Sequence, residues 1–184
     1  NNNSLTSVDV SNYPNLYTLE VGNNSLTSID ISSNTALKDL DLYSNSLTSI
    51  SFTNNTLLEN ININSNSGIT SLDITMLPNL ESLYANSIGI SSLDTSDNPL
   101  LDFIYILNAT SLTTLDISDN PLITYMIING NNQTEASTNN ILIDLDTAGL
   151  SNGLLRLRNN KSGAGITAYN SLITKGWSII EYST

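Results

Sequence analysis

Short alternations of apolar and polar residues recur along this chain. NSLTSVDV at 3–10, NSLTSIDI at 24–31 and NSLTSISF at 45–52 are followed by degraded copies, GITSLDI at 68–74, GISSLDT at 89–95 and SLTTLDI at 111–117. The repeated aliphatic falls at Leu5, Leu26, Leu47, Ile69, Ile90 and Leu112, in steps of 21, 21, 22, 21 and 22. A fixed period of this length marks a structural repeat that stacks on its neighbours. A second apolar series lies between these segments and begins at Leu16, Leu37, Leu58, Leu80, Leu101 and Ile123. Each member leads into an alternation of period two, which predicts a short strand with one face buried and the other in solvent.

Written out, Leu16-x-x-Leu19-x-Val21-x-x-Asn24-x-Leu26 and Leu37-x-x-Leu40-x-Leu42-x-x-Asn45-x-Leu47 fit the leucine-rich repeat template L-x-x-L-x-L-x-x-N-x-L. The Asn closing the template has an amide that satisfies backbone donors and acceptors where the chain leaves the sheet. Asn24, Asn45, Asn66 and Asn131 fit this ladder, whereas Ile88 and Ala109 break it and predict a local change of turn. The other half-repeat, L-T-S-[LVI]-D-[IV], also alternates, so both walls of each coil are expected to be extended, with turns such as Ser118-Asp119-Asn120-Pro121 between them. No single repeat carries enough apolar surface to fold alone, and stability must come from stacking into a solenoid. The pattern over 3–131 resembles the short leucine-rich repeats of secreted and surface proteins of Bacteroidetes-type bacteria, in which LTSLD-x-S-x-N-x-x-L recurs in tandem. That resemblance implies a mainly β solenoid with few helices, and a non-catalytic recognition or adhesion module, extracellular or at the cell surface.

Asn3-Ser4-Leu5 corresponds to Asn24-Ser25-Leu26 and so enters in mid-register, which predicts that the polypeptide continues upstream. About six repeats are therefore expected over 1–131, with a polar loop and a capping segment over 132–184. Within the latter, NNQTEASTNN at 131–140 lacks apolar periodicity and predicts a loop. Two strands are expected next, at 141–145 and 154–157, joined by a Gly-rich turn at 149–153. A helix follows over 166–175, from the spacing of Ile166, Tyr169, Leu172 and Ile173, then a last strand over 177–182. This ending is similar to the terminal caps of the same bacterial proteins, a small α/β element that would close the solenoid's end.

Composition narrows the chemistry. The 184 residues contain no His and no Cys. That excludes zinc sites of the usual N/S type, Ser-His or Cys-His nucleophiles, disulfides and thiol redox chemistry. With 5 Lys+Arg against 17 Asp+Glu the net charge is -12, which has the wrong sign for attraction to nucleic acid. No apolar stretch approaches the ~18–20 residues of a membrane helix, so membrane insertion is not expected. Four of the five basic residues, Arg156, Arg158, Lys161 and Lys175, lie in the capping segment, and the repeats hold only Lys38.

If the repeats superimpose, the first series presents three solvent-facing columns. One runs Thr18, Asp39, Asn60, Ser82, Phe103, Tyr125. The next runs Glu20, Asp41, Asn62, Tyr84, Tyr105, Ile127. The third runs Gly22, Tyr43, Asn64, Asn86, Leu107, Asn129. Strands in such a sheet lie ~4.8 Å apart, so Tyr84, Phe103, Tyr105, Leu107, Tyr125 and Ile127 form one patch, with Asn62, Asn64, Asn86 and Asn129 as its polar margin. A contiguous exposed patch of this kind marks a docking surface for a protein or a glycan. The competing expectation is that the 131–140 loop or the cap folds over it.

Other rows are weaker candidates. Asp9, Asp30, Ser51, Asp73, Asp94 and Asp116 line up as a carboxylate ladder. At ~5 Å in water each like-charge pair costs only ~0.8 kcal/mol, so a solvated ladder needs no ion. No calcium loop of the D-x-D-x-D-G kind occurs, no cofactor is expected, and calcium would be incidental. Thr6, Thr27, Thr48, Thr70, Ser91 and Thr113 form a hydroxyl row of the sort ice-binding solenoids use, but the acidic ladder two positions on spoils a flat uncharged face. Glu20, Asp39 and Asp41 are the nearest approach to a glycosidase carboxylate pair, and nothing in the sequence encloses them. Sequons such as Asn23-Asn24-Ser25 are expected by chance in so Asn-rich a chain. An attachment tip of a virion or a larger surface assembly is the alternative to an adhesion module.

Overall fold

The computed structural model describes residues 3–182. Its backbone is a stack of coils, each giving one short strand to a parallel sheet. The strands are β1 (Thr18–Glu20), β2 (Asp39–Asp41), β3 (Asn60–Asn62), β4 (Ser82–Tyr84), β6 (Phe103–Tyr105) and β8 (Tyr125–Ile127), with β5 (Ser92–Asp94) and β7 (Thr114–Asp116) on the opposite wall. The central residue of each main-sheet strand, Leu19, Leu40, Ile61, Leu83, Ile104 and Met126, points inward and is buried. Neighbouring strands pair in the register that the repeat spacing requires, for example Leu40 beside Ile61 and Leu83 beside Ile104. Leu37, Leu58, Leu80, Leu101 and Ile123 fill the same interior from the start of each segment, and Leu26, Leu47, Ile69, Ile90 and Leu112 fill it from the far side.

The turn that leaves the sheet is the same in every coil. A residue in the left-handed region, Asn23, Ser44, Ser65, Ser87, Asn108 or Gly130, redirects the chain. A ladder Asn follows it at 24, 45, 66 and 131. Asn66 donates to the carbonyls of Leu42 and Ile63, both at 3.0 Å, and accepts from the Leu47 N–H at 3.1 Å. Asn45 repeats this pattern one coil earlier, and Asn131 bridges Ile106 and Ala109 near the end of the stack. At 88 and 109 the aliphatic side chains are simply buried.

The opposite wall is less regular than its sequence alternation implies. Only β5 and β7 pair as strands among the described residues, and the earlier coils run alongside one another without ladder pairing. What holds that wall is a second Asn ladder that the hydrophobic pattern did not single out. Asn34, Asn55, Asn98 and Asn120 are buried, and each donates twice to carbonyls of the preceding coil. Asn55, for instance, reaches Ile31 O at 3.0 Å and Asn34 O at 2.9 Å.

The C-terminal segment departs from the expectation in one respect. Residues 135–147, expected as the end of a polar loop followed by a strand, form one helix, α1 (Glu135–Thr147). Thr134 caps it, accepting from the Ser137 N–H at 3.1 Å. Its inner face is Ser137, Thr138, Ile141, Leu142 and Leu145, at helical spacing. The first two are hydroxyl residues, which is why NNQTEASTNN carries no apolar period. The run ILIDL is short enough to suit either period, and length alone decides such cases. The later elements fall where expected: β9 (Leu154–Arg158), α2 (Gly163–Thr174) and β10 (Ser178–Tyr182). β9 pairs with β8 and β10 with β9, so the main sheet reaches eight parallel strands in the order β1-β2-β3-β4-β6-β8-β9-β10. The cap is thus the same coil with helices in place of the second wall. Trp177 locks it, buried with its indole N–H donating to Leu150 O at 3.0 Å, over a Gly153 at which a Cβ would meet the ring at 2.5 Å.

Candidate ligand-docking face

Because the strands are three residues long and the middle one is buried, the two flanking residues of each strand project from the sheet. Pairing places Thr18, Asp39, Asn60, Ser82, Phe103 and Tyr125 in one column and Glu20, Asp41, Asn62, Tyr84, Tyr105 and Ile127 in the next. The cap lengthens both, with Leu154 beside Tyr125 and Arg156 beside Ile127. The third column is tied together by side chains. Asn64 accepts from the Asn86 N–H and Asn86 from the Leu107 N–H, both at 2.7 Å, while Tyr43 lies over Gly22 so closely that a Cβ there would meet its ring at 2.2 Å. The carbonyl groups of Asn64 and Asn86 therefore cap backbone.

The aromatic side chains do meet. Phe103 lies between Tyr84, with ring centroids 4.8 Å apart, and Tyr125, at 4.5 Å and an interplanar angle of 6°. Tyr105 adjoins both Tyr84 and Phe103, at 6.0 and 6.3 Å. Tyr84, Phe103, Tyr105, Leu107 and Tyr125 are half-buried. Ile127 is not part of the exposed patch: it is 3% exposed. Its column neighbours on either side are Tyr105 and Arg156. The cap does not fold over the patch. α1 packs on the opposite wall, where Leu115 N–H donates to Ser137 Oγ at 3.3 Å and Thr134 N–H to Thr113 O at 3.2 Å.

The two ends of the face carry opposite charge. At the β1–β2 end, Glu20, Asp39 and Asp41 edge a depression of about 220 Å³ that reaches Asn60, Asn62 and Tyr84. Asp39 is held by Thr18 Oγ1 at 3.3 Å and by the Asn60 amide at 2.8 Å, and Asp41 accepts from the Tyr43 N–H at 3.1 Å. At the other end stand Arg156 and Arg158. Lys38 pairs with Glu59, Lys161 with Glu181, and Lys175 with Asp146 at 2.7 Å. Among the described residues neither arginine has a carboxylate partner, and the Arg156 Nε is buried without an acceptor.

The carboxylate ladder has a structural occupation. Asp9, Asp30, Asp73, Asp94 and Asp116 each accept from the backbone N–H two residues on, at 2.9–3.1 Å. The hydroxyl and N–H of Ser11, Ser32 and Thr75 hold Asp9, Asp30 and Asp73 below the usual carboxylate range, and the N–H and hydroxyl of Ser96 do the same for Asp94. Among the described residues no group of three or more Asp or Glu converges as a metal site would require. Asp144 is the exception in direction: partial burial, with Asp116 and Asp119 nearby, raises it. A groove of about 550 Å³ between β5, β7 and the first turns of α1 was not foreseen, because it exists only where a helix replaces the second wall.

The fold is a leucine-rich-repeat-like solenoid, an architecture that suits a binding module. No family model matches the chain, and no curated protein matches it. Among solved structures it is similar to the functional domain of InlJ from Listeria monocytogenes, which includes a cysteine ladder, with 28% identity and a TM-score of 0.71. The match covers 84% of this chain and 34% of the InlJ chain, so it spans about a third of that domain chain's length. Where that domain includes a ladder of cysteine, this chain has no cysteine and two ladders of asparagine.

Proposed function

We propose that this chain is a non-catalytic docking module of a secreted or surface-anchored bacterial protein, taking a protein or glycan ligand on the main-sheet face at Tyr84, Phe103, Tyr105, Leu107 and Tyr125. The observation that carries this reading is the continuous row of aromatic side chains on the solvent side of the sheet, left open by the cap. Large exposed apolar patches are rare on proteins that bind nothing. Tyr joins contact area to a hydroxyl at little conformational cost. Polar contacts at the margin come from the amide groups of Asn62, Asn64, Asn86 and Asn129. The external location rests on the resemblance of the repeats to those of secreted and surface proteins.

A panel of glycans and bacterial or host surface proteins, probed with the wild type and with the Phe103→Ala, Tyr105→Ala double variant, tests the assignment. At least one ligand should be captured by the wild type, with a loss of tenfold or more in the variant. Equal capture by both would remove this face from consideration.

A further inference from the structure

The docking face is ordered by charge along the solenoid axis, and at its centre Phe103 and Tyr125 are stacked on each other across adjacent strands. Both facts bear on what it binds. Phe103 has Tyr84 on one side and Tyr125 on the other, and Tyr125 in turn stands between Phe103 and the Leu154 column position. Phe103 and Tyr125 stack face to face, so each spends a face on the other and the centre of the row offers rims, whereas Tyr84 and Tyr105 meet their neighbours at a tilt of 34–58°. A sugar that stacks needs an open ring face, because its slightly positive C–H groups seek the negative π cloud. A rim is positive. It suits carbonyl oxygens, the faces of another protein's aromatic side chains, and aliphatic groups.

Flanking this row are the only two cations among the described residues without a carboxylate partner, Arg156 and Arg158, on the strand next to Tyr125 and Ile127. On the other flank, Glu20, Asp39 and Asp41 border the depression that ends at Tyr84, and no basic residue lines it. From β2 to β9 there are five strand spacings, about 24 Å at ~4.8 Å each, or roughly seven residues of extended chain. Charges so arranged fix direction and register more than affinity.

Resting on the docking reading above, we infer that the occupant is a polypeptide segment presenting a Lys or Arg to Glu20, Asp39 and Asp41, apolar or aromatic side chains to the Tyr84–Phe103–Tyr105–Tyr125 row, and an Asp or Glu to Arg156 and Arg158. The ends of that segment are about 24 Å apart, and it lies in one direction only.

Selection of a random 12-residue peptide library on the 184-residue chain tests this. Enriched peptides should carry basic residues at one end and acidic residues at the other, separated by about seven positions. Their affinity should fall tenfold or more for Arg156→Glu with Arg158→Glu, and also for Asp39→Lys with Asp41→Lys. Joining all four substitutions should restore binding, since the same peptide can then lie the other way round. The restored binding also shows that the variants are folded. No enrichment, enriched peptides without charge order, or an affinity indifferent to the four substitutions would overturn the inference. If the array instead yields a neutral glycan whose capture depends on Phe103 and Tyr105, the polypeptide assignment fails while the docking face stands. If capture is indifferent to those two residues, the docking face itself fails.

Discussion

Asparagine does here what aliphatic residues cannot. In a coil of 21 or 22 residues the chain must turn sharply inside the molecule, and the turning backbone buries carbonyl and N–H groups with no strand beside them. Each Asn of the first ladder supplies both a donor and an acceptor at that spot, while Asn34, Asn55 and Asn98 of the second act as donors, and the stack repeats each arrangement from coil to coil. Asn66 satisfies three backbone groups of residues 42, 47 and 63. Unsatisfied buried groups cost about 1–3 kcal/mol each, so Asn66→Ala should lower the unfolding free energy by about 3 kcal/mol or more, measured by chemical denaturation. A loss below about 1 kcal/mol would mean that water replaces the amide. That the first ladder was legible and the second was not follows from context. Asn24, Asn45 and Asn66 sit at a fixed place in a recognisable motif, while Asn34 and Asn55 sit among Ser, Thr and Asn, and Asn98 and Asn120 in Ser-Asp-Asn-Pro, in what looks like solvent-exposed turn.

At the level of elements, the strands were legible and α1 was not. A main-sheet strand needs only one buried residue between two outward ones, and Leu-x-Leu states that directly. Residues 135–147 state their helix through a cap and a polar inner face instead. Thr134 accepts from Ser137 N–H, and Ser137 and Thr138 face the wall of β7. Thr134→Ala should cost about 1 kcal/mol and lower the melting temperature by about 2–4 °C for a chain of this size. Serine at the same position should retain most of that stability. The columns of the docking face were legible as far as Tyr125, because they depend on register alone. Exposure was not: Ile127 is buried, and the strand that lies beside it, β9, joins the sheet from a segment outside the repeat pattern.

For the whole molecule, charge sets the response to pH. Asp9, Asp30, Asp73 and Asp94 lie below their ordinary values in the fold, so they favour the folded state above the ordinary carboxylate range. That contribution is lost as pH falls through their lowered values. Asp144 has the opposite sign. Raised by desolvation and then by Asp116 and Asp119, it favours the folded state only when protonated, and penalises it once pH rises through its raised value. Asp144→Asn should therefore raise the melting temperature by a few degrees at most at pH 7 and leave it unchanged near pH 3, by scanning calorimetry across that range. A variant that gains equally at both values would point to packing rather than charge.

The parallel register has one more consequence. Each coil inserted between Asp41 and Arg156 would move the acidic and basic ends ~4.8 Å further apart without altering either. Coil number is then a gauge of ligand length. Duplication or loss of a single repeat could retune such a protein to a longer or shorter target in one genetic step, with every contact residue at the two ends left as it was.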